Sequence, residues 1–360
     1  MTTMLDVIKR SKEKMNLIID SRKLIFKNVI EYVENNEIDE IVFIGSGSSY
    51  SSVLSTMLIV EKLSGLKTYC MLPNLFINKS TYNNKALYIL VSQTGTSRLM
   101  IELSSKLKSL NINTVALSSD LDSPLVKNCN RYIELCMGYE EYTYATLGFT
   151  CSMFTEILMG LEIGLVSKHL TKEEYDKYID EIKLTPKSNY ETIERTIKWF
   201  EQNKTKLLNV QNFILYGGSS LYGIATEGAL KIMEITKKYV SVGYEMDDGM
   251  HGPNYCLDER TAVIALNDGK DNKNAIDLMN LMKKEYDSGY LVGINPMDNN
   301  DLSLDLKSTN FTNLEIISFA QTLAYLLARE NNVDIFEKKD PRINTTKGKG
   351  YFNMHDVNNK

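Results

Sequence analysis

Ala86-Leu87-Tyr88-Ile89-Leu90-Val91 runs directly into Ser92-Gln93-Thr94-Gly95-Thr96-Ser97, and an amphipathic run from Arg98 to Leu110 follows at once. An apolar run of strand length, a turn of six small or polar residues and a helix start together describe one βα unit of a parallel sheet. Such a turn is also an anion pocket. The first backbone N–H groups of a helix have no intrahelical acceptor, the helix end is positive, and Ser and Thr hydroxyls add donors. The turn contains no lysine or arginine and lacks the G-x-x-x-x-G-K-[ST] pattern. That favours a compact phosphate monoester over a triphosphate with its metal. Taken alone, the same hydroxyls serve equally well as helix caps.

Outward from this turn, strand-like and helical runs alternate. Helical residues 5–34 precede strands at 41–45, 67–71, 86–91, 114–118 and 132–136, with helices at 50–63, 98–110 and 147–168. Residues 170–205 are charged and helical, interrupted only by Pro186, and read as a connector. The pattern then restarts, with strands at 213–216, 261–266 and 290–294 and helices at 223–236, 274–286 and 318–330. Alternation of this kind predicts parallel sheets with helices on both faces, and ligands of such sheets sit at the carboxyl ends of the strands. The restart echoes the start: Ile44-Gly45-Ser46-Gly47-Ser48-Ser49-Tyr50 resembles Tyr216-Gly217-Gly218-Ser219-Ser220-Leu221-Tyr222. A duplication is expected. The second half lacks a counterpart of Ser92–Ser97, so its role is expected to differ from phosphate binding.

Composition narrows the classes. A net charge of −5 leaves no excess of Lys and Arg for non-specific nucleic-acid binding. Apolar stretches such as Ile41–Ile44 and Ala262–Leu266 are strand-sized, and the N-terminus has no signal-like core, so no membrane association is expected and the compartment is expected to be the cytoplasm. Five cysteines (70, 129, 136, 151, 256) include no C-x-x-C pair, and His169, His251 and His355 are not spaced as zinc ligands. No metal or cofactor is expected.

Four short motifs in order carry a resemblance. The two Gly-Ser-Ser turns, Ser92–Ser97, Thr226-Glu227-Gly228-Ala229-Leu230-Lys231-Ile232-Met233-Glu234 and Met250-His251-Gly252-Pro253 resemble the double sugar-isomerase (SIS) domain family over residues 25–350. That family includes the isomerase half of glucosamine-6-phosphate synthase and the fructosamine- or fructoselysine-6-phosphate deglycases. The resemblance implies two tandem flavodoxin-like α/β three-layer sandwiches with central parallel sheets. They are expected at residues 35–169 and 206–335, with a helical segment at 1–34, the connector at 170–205 and a tail at 336–360. It further implies that Ser49, Ser92, Gln93, Thr94 and Ser97 hold a sugar phosphate, and that Thr143 and Ala145 line the sugar with Thr146 behind them. The synthases have a lysine where Leu147 stands, which weakens transfer of their reaction.

Glu227, Lys231 and Glu234 fall at i, i+4 and i+7 and so share one helix face. By spacing alone this is a solvated charged face; the interleaved Ala225, Ala229, Ile232 and Met233 argue instead for a packed helix. The resemblance makes Glu234 the base that moves a proton between C1 and C2. Lys231, one turn away, is expected to bias the local field or to hold a substrate hydroxyl, and Glu227 to brace Lys231. Proton abstraction beside a carbonyl suits a carboxylate partly withdrawn from water. The resemblance also places His251 in a neighbouring subunit's active site, where it helps open the sugar ring, and therefore implies a homodimer. One residue more separates Glu234 from His251 than in the synthases, so the loop 240–250 is expected to differ. Its Glu245, Asp247 and Asp248 can face a substrate amine or simply be solvated. In the tail, Lys347, with Lys349 competing, stands nearest the family's Schiff-base lysine.

The leading expectation is an enzyme acting at C1–C2 of a sugar 6-phosphate. It would be a deglycase or deaminase of a fructosamine or amino-sugar phosphate, or an aldose–ketose isomerase. No glutaminase domain precedes the first helix, so glutamine-dependent synthesis is not expected. The alternative is a non-catalytic sugar-phosphate sensor, which needs Ser92–Ser97 but can dispense with Glu234 and His251.

Overall fold

The computed structural model describes residues 2–336. By internal packing it divides into residues 14–179 and residues 2–13 with 180–336. The chain opens with helices α1 (Met4–Lys9), α2 (Ser11–Ile25) and α3 (Lys27–Glu34). Then come β1 (Glu40–Ile44), α4 (Ser48–Ser64), β2 (Lys67–Met71), α5 (Pro73–Ile77), β3 (Ala86–Val91), α6 (Arg98–Ser109), β4 (Thr114–Ser118), α7 (Pro124–Asn128), β5 (Arg131–Glu134) and α8 (Leu147–Val166). The strands form one parallel sheet in the order β2-β1-β3-β4-β5.

Every residue of β3 is buried. Its even-numbered side chains Tyr88 and Leu90 join Val42 and Ile44 of β1 and Ala116 of β4 beneath Met100, Leu103 and Leu107 of α6. The odd-numbered ones point to the opposite face, because successive residues of a strand alternate. This two-sided burial explains the unbroken apolar run.

The second half follows with α9 (Lys172–Ile182), α10 (Thr185–Asn209), β6 (Asn212–Gly217), α11 (Leu221–Thr236), β7 (Val240–Glu245), β8 (Thr261–Asn267), α12 (Asn272–Glu285), β9 (Gly289–Gly293), β10 (Leu302–Ser303) and α13 (Thr312–Glu330). Its parallel sheet has the order β10-β9-β8-β6-β7. Matched strand for strand, this is the order of the first sheet, 2-1-3-4-5, the doubly wound flavodoxin arrangement. The expected α/β fold and the duplication are both present.

Three readings are corrected. Residues 240–245, expected as loop, are edge strand β7, the counterpart of β2; Ser241 is the buried residue of this strand, and such a strand gives no apolar run to read. The expected connector is not one: the division falls at 179/180, and α10 packs within the second unit. Its charged residues cover one face, while Trp199 on the other meets Tyr290 and Phe319 edge-on and donates to the Asn300 carbonyl at 2.6 Å. Pro186 stands in the first turn of α10, where its missing N–H costs nothing. Finally, α8 is by length and composition sufficient to cross a membrane, contrary to the reading that all apolar stretches are strand-sized; 89% of its apolar window is buried inside the protein.

Candidate functional site

In residues 14–179, the two hydroxyl-rich turns leave adjacent strands. β1 and β3 pair with Ile44 opposite Leu90, and the chain exits them as Gly45–Ser49 and Ser92–Ser97. This is where the strand order reverses, the crevice that ligands of such sheets occupy. The second turn is fixed from β4. The Gln93 carbonyl accepts from Ser119 N at 2.8 Å, Ser119 Oγ at 2.6 Å and Ser118 Oγ at 3.2 Å. Gly95 has φ +62°, and a Cβ there would lie 2.1 Å from Ser123 Oγ, so both conformation and space demand glycine.

The helix-capping reading of the turn is not what the side chains do. Ser97 is the N-cap residue of α6 and makes no side-chain cap hydrogen bond; the N-cap of α4 is Gly47, with none to make. Thr94 is exposed and its hydroxyl meets that of Thr96 at 2.8 Å. Ser49 is partly exposed in the first turn of α4, and Ser92 is buried at the base of its turn. Gln93 faces elsewhere: its side-chain amide donates to Glu140 Oε2 at 2.7 Å.

Glu140 is a residue that the sequence reading missed. Its Oε1 accepts from Thr146 N (2.7 Å), Thr146 Oγ1 (2.8 Å) and Leu147 N (2.9 Å), and its Oε2 from Gly148 N (3.2 Å). The carboxylate thereby caps α8, whose own N-cap Thr146 makes no side-chain cap bond. It also ties the Gln93 turn to the segment bearing exposed Thr143 and half-buried Ala145. A carboxylate at a helix N-terminus is favourable twice, as acceptor and against the dipole. Glu140→Ala is expected to lower stability by about 2–3 kcal/mol, the scale of losing hydrogen bonds to a charged group. A denaturant titration checks this.

In residues 180–336, α11 carries the charged triplet, and the bland reading of a solvated face is overturned. Lys231 is 1% exposed and Glu227 is fully buried, with Nζ 3.1 Å from Glu227 Oε1. Lys231 also bonds Glu234 Oε1, and Glu234 is 29% exposed. Burial works against the Lys231 ammonium, but the Glu227 and Glu234 carboxylates outweigh it and hold the group above the usual lysine range. Glu234 is thus the one member of the triplet that reaches solvent, and its carboxylate is oriented by a fixed cation.

The loop bearing His251 follows β7. Glu245 Oε2 accepts from Asp247 N (2.7 Å) and Asp248 N (3.1 Å), so Glu245 shapes the turn. His251 is exposed, with Nε2 3.7 Å from Asp247 Oδ2, and is not part of the triplet. Lys347 and Lys349 lie outside the described residues.

The second sheet's own switch point differs from the first. β6 and β8 exit as Gly217–Ser220 and Asn267–Asp271, and an ideal Cβ on Gly218 would lie 1.7 Å from Asp271 Oδ2. A carboxylate occupies the space, and burial, with Glu245 and Asp268 nearby, raises the Asp271 carboxyl above its usual range. The exit of β8 thus carries Asp268 and Asp271 where the exit of β3 carries Ser92–Ser97.

Residues 36–159 match the model of the SIS domain family. They are a SIS domain. The chain is 27% identical over 289 residues to a glutamine–fructose-6-phosphate aminotransferase (isomerizing) of Cyanidium caldarium, covering 76% of this chain and 46% of that protein. It spans about half the length of the curated relatives it matches. Among solved structures, a Clostridium difficile 630 protein provisionally called a phosphosugar isomerase superposes with a TM-score of 0.89 at 21% identity, covering 98% of this chain and all of the other. Glucosamine-6-phosphate deaminase of Thermotoga maritima superposes with a TM-score of 0.71 at 22% identity, over 96% of this chain and 99% of that one. These two likenesses extend the fold agreement beyond the SIS domain at 36–159 to nearly the whole chain.

Proposed function

We propose that the protein is an enzyme acting at C1–C2 of a sugar 6-phosphate, releasing the amine of a fructosamine or amino-sugar 6-phosphate or interconverting aldose and ketose. The observation that carries the proposal is the buried Lys231 between Glu227 and Glu234. A solvated charged face would not bury a lysine, and a sensor needs no fixed cation behind an accessible carboxylate. Phosphate recognition is assigned to Ser49, Ser92, Thr94 and Ser97, with Gln93 acting through its backbone and through Glu140. Thr143 and Ala145 are assigned to the sugar, and proton transfer to Glu234. The enzyme acts in the cytoplasm as a homodimer in which His251, exposed in its own chain, serves the partner's site and Lys347 joins from the tail.

Mechanistically, a ring-opened sugar presents a carbonyl beside a C–H bond. The Glu234 carboxylate takes the proton from one carbon and returns it to the neighbour, and Lys231 holds that carboxylate in place throughout. An imidazole at His251 gives and takes the proton that opens the ring.

The deciding experiment incubates the full chain with glucosamine 6-phosphate, fructose 6-phosphate and Amadori adducts of fructose 6-phosphate. Released ammonia or amino acid is measured alongside aldose–ketose conversion. Binding without any turnover would replace the enzyme by a sensor. Within an active enzyme, Ser97→Ala is expected to raise KM about tenfold or more, since a hydrogen bond to a charged group contributes about 1.5–3 kcal/mol. It is expected to leave the melting temperature unchanged, because Ser97 caps nothing. Loss of stability with unaltered KM would return the turn to a structural role.

A further inference from the structure

Glu156 lies in the middle of α8, completely buried. Its partners are two hydroxyls of α4: Ser52 Oγ is 2.8 Å from Oε1 and Thr56 Oγ1 is 2.6 Å from Oε2. No cation faces it among the described residues. Enclosing a carboxyl in this way is costly unless it is neutral or well paired, and a leucine would fill the same space between two helices. The arrangement calls for a use.

Ser52 Oγ has a second neighbour, the Ser49 carbonyl, at 3.1 Å. A serine hydroxyl has one proton to give. When Glu156 is ionised, that proton goes to Oε1 and the Ser49 carbonyl loses it. When Glu156 is protonated, the acid donates to Ser52 Oγ and the Ser52 proton turns to Ser49. Ser49 stands in the first turn of α4, at the exit of β1.

We propose that Glu156 is a positioning residue for the anion-binding turn: through the Ser52 hydroxyl its proton fixes the Ser49 backbone, and loss of that proton weakens the hold on a phosphate. This rests on the reading of Ser49 and Ser92–Ser97 as a phosphate cradle. Two effects act in the same direction, since ionisation both withdraws the Ser52 bond and puts a buried negative charge one helical turn below the site.

The surroundings leave Glu156 as the group that titrates. From β2 it faces the Cys70 thiol, which burial, and then the Glu156 charge, push far up and keep neutral. On α4 its partners are hydroxyls, and Glu61 and Lys62 are exposed; on α3, which also packs on α8, Lys27, Glu31 and Glu34 are exposed. Within α8 itself, Glu162 is paired with Arg22 and Lys23. Burial raises the Glu156 carboxyl to about 8, against the hydroxyl bonds from Thr56 and Ser52.

The test is calorimetric titration of the full chain with fructose 6-phosphate at pH 7 and pH 9, both above the second phosphate ionisation near ~6. For the native protein Kd is expected to be about fivefold weaker at pH 9, the effect of a one-unit change in proton affinity on binding for a group titrating at about 8. Glu156→Gln, which still offers an N–H to Ser52, is expected to hold the tighter value at both pH values. Ser52→Ala, which cuts the relay but keeps the acid, is expected to bind more weakly at pH 7 and to show a reduced pH response. A native Kd that is flat across this range, or a Glu156→Gln profile matching the native one, overturns the proposal. Failure of the cradle reading looks different: no variant binds fructose 6-phosphate at either pH, and the proposal falls with it.

Discussion

Glu234→Gln is expected to reduce kcat by about 10²–10⁴-fold, the range ascribed to a positioned acid–base group, while Kd for the sugar phosphate stays nearly unchanged. The amide is isosteric and can still accept from Lys231, so the α11 face stays intact. What it cannot do is take a proton from carbon. With phosphate recognition proposed for turns in residues 14–179 and proton transfer for Glu234 on α11, binding and turnover should separate cleanly. The measurement pairs single-turnover kinetics with calorimetric binding on one preparation. If turnover survives, Glu234 is not the base, and the exposed carboxylate of the triplet is only the solvent end of an ion pair. A parallel loss of binding and turnover would instead mean that Glu234 holds the ground state.

The large features of this fold were legible because punctuation and periodicity agree. Val91 to Ser92 marks a strand end that no helix reading tolerates, and the echo between Gly45–Ser49 and Gly217–Ser220 fixes two copies. What escaped depends on contacts distant in sequence or on half-buried edges. β7 presents Val-Ser-Val-Gly-Tyr-Glu at a sheet edge, so no continuous apolar run announces it. Helix α10 hides one apolar stripe behind many charges, and charge content alone suggested a linker. Glu140 sits in an irregular stretch six to eight residues before the N–H groups it caps, a spacing no capping-box pattern contains. Glu156 is concealed differently: within a helix buried on all sides, a lone acid is meaningful only once Ser52 and Thr56 are seen against it. The spacing of Glu227, Lys231 and Glu234 gave their common face and the interleaved apolar residues a packed helix, while the burial of Glu227 and Lys231 against the partial exposure of Glu234 depends on the fold.

Lys231→Met is expected to destabilise the protein by about 3–5 kcal/mol, the scale of breaking a buried ion pair by removing one partner. The cost arises from what remains. Methionine fills the space of the lysine stem, so little packing is lost, but Glu227 is left fully buried with its cation gone. Two further outcomes separate this account from a simple packing defect. Adding Glu227→Gln to Lys231→Met should recover much of the lost stability, since no uncompensated charge then stays inside; a packing defect would make the two losses additive. The pH dependence should also move to a lower range. In the native protein Lys231 is held above its ordinary value, so its contribution is complete below the unfolded lysine range, about 10.4, and fades only as pH rises beyond it. In Lys231→Met the buried Glu227 charge is relieved by protonation, so stability should increase as pH is lowered from neutrality toward the carboxylate range. Denaturant midpoints for the native chain and both variants at pH 5.5 and 8 decide the matter, with wild-type-like stability of the single variant as the result that would remove Lys231 from the centre of the site.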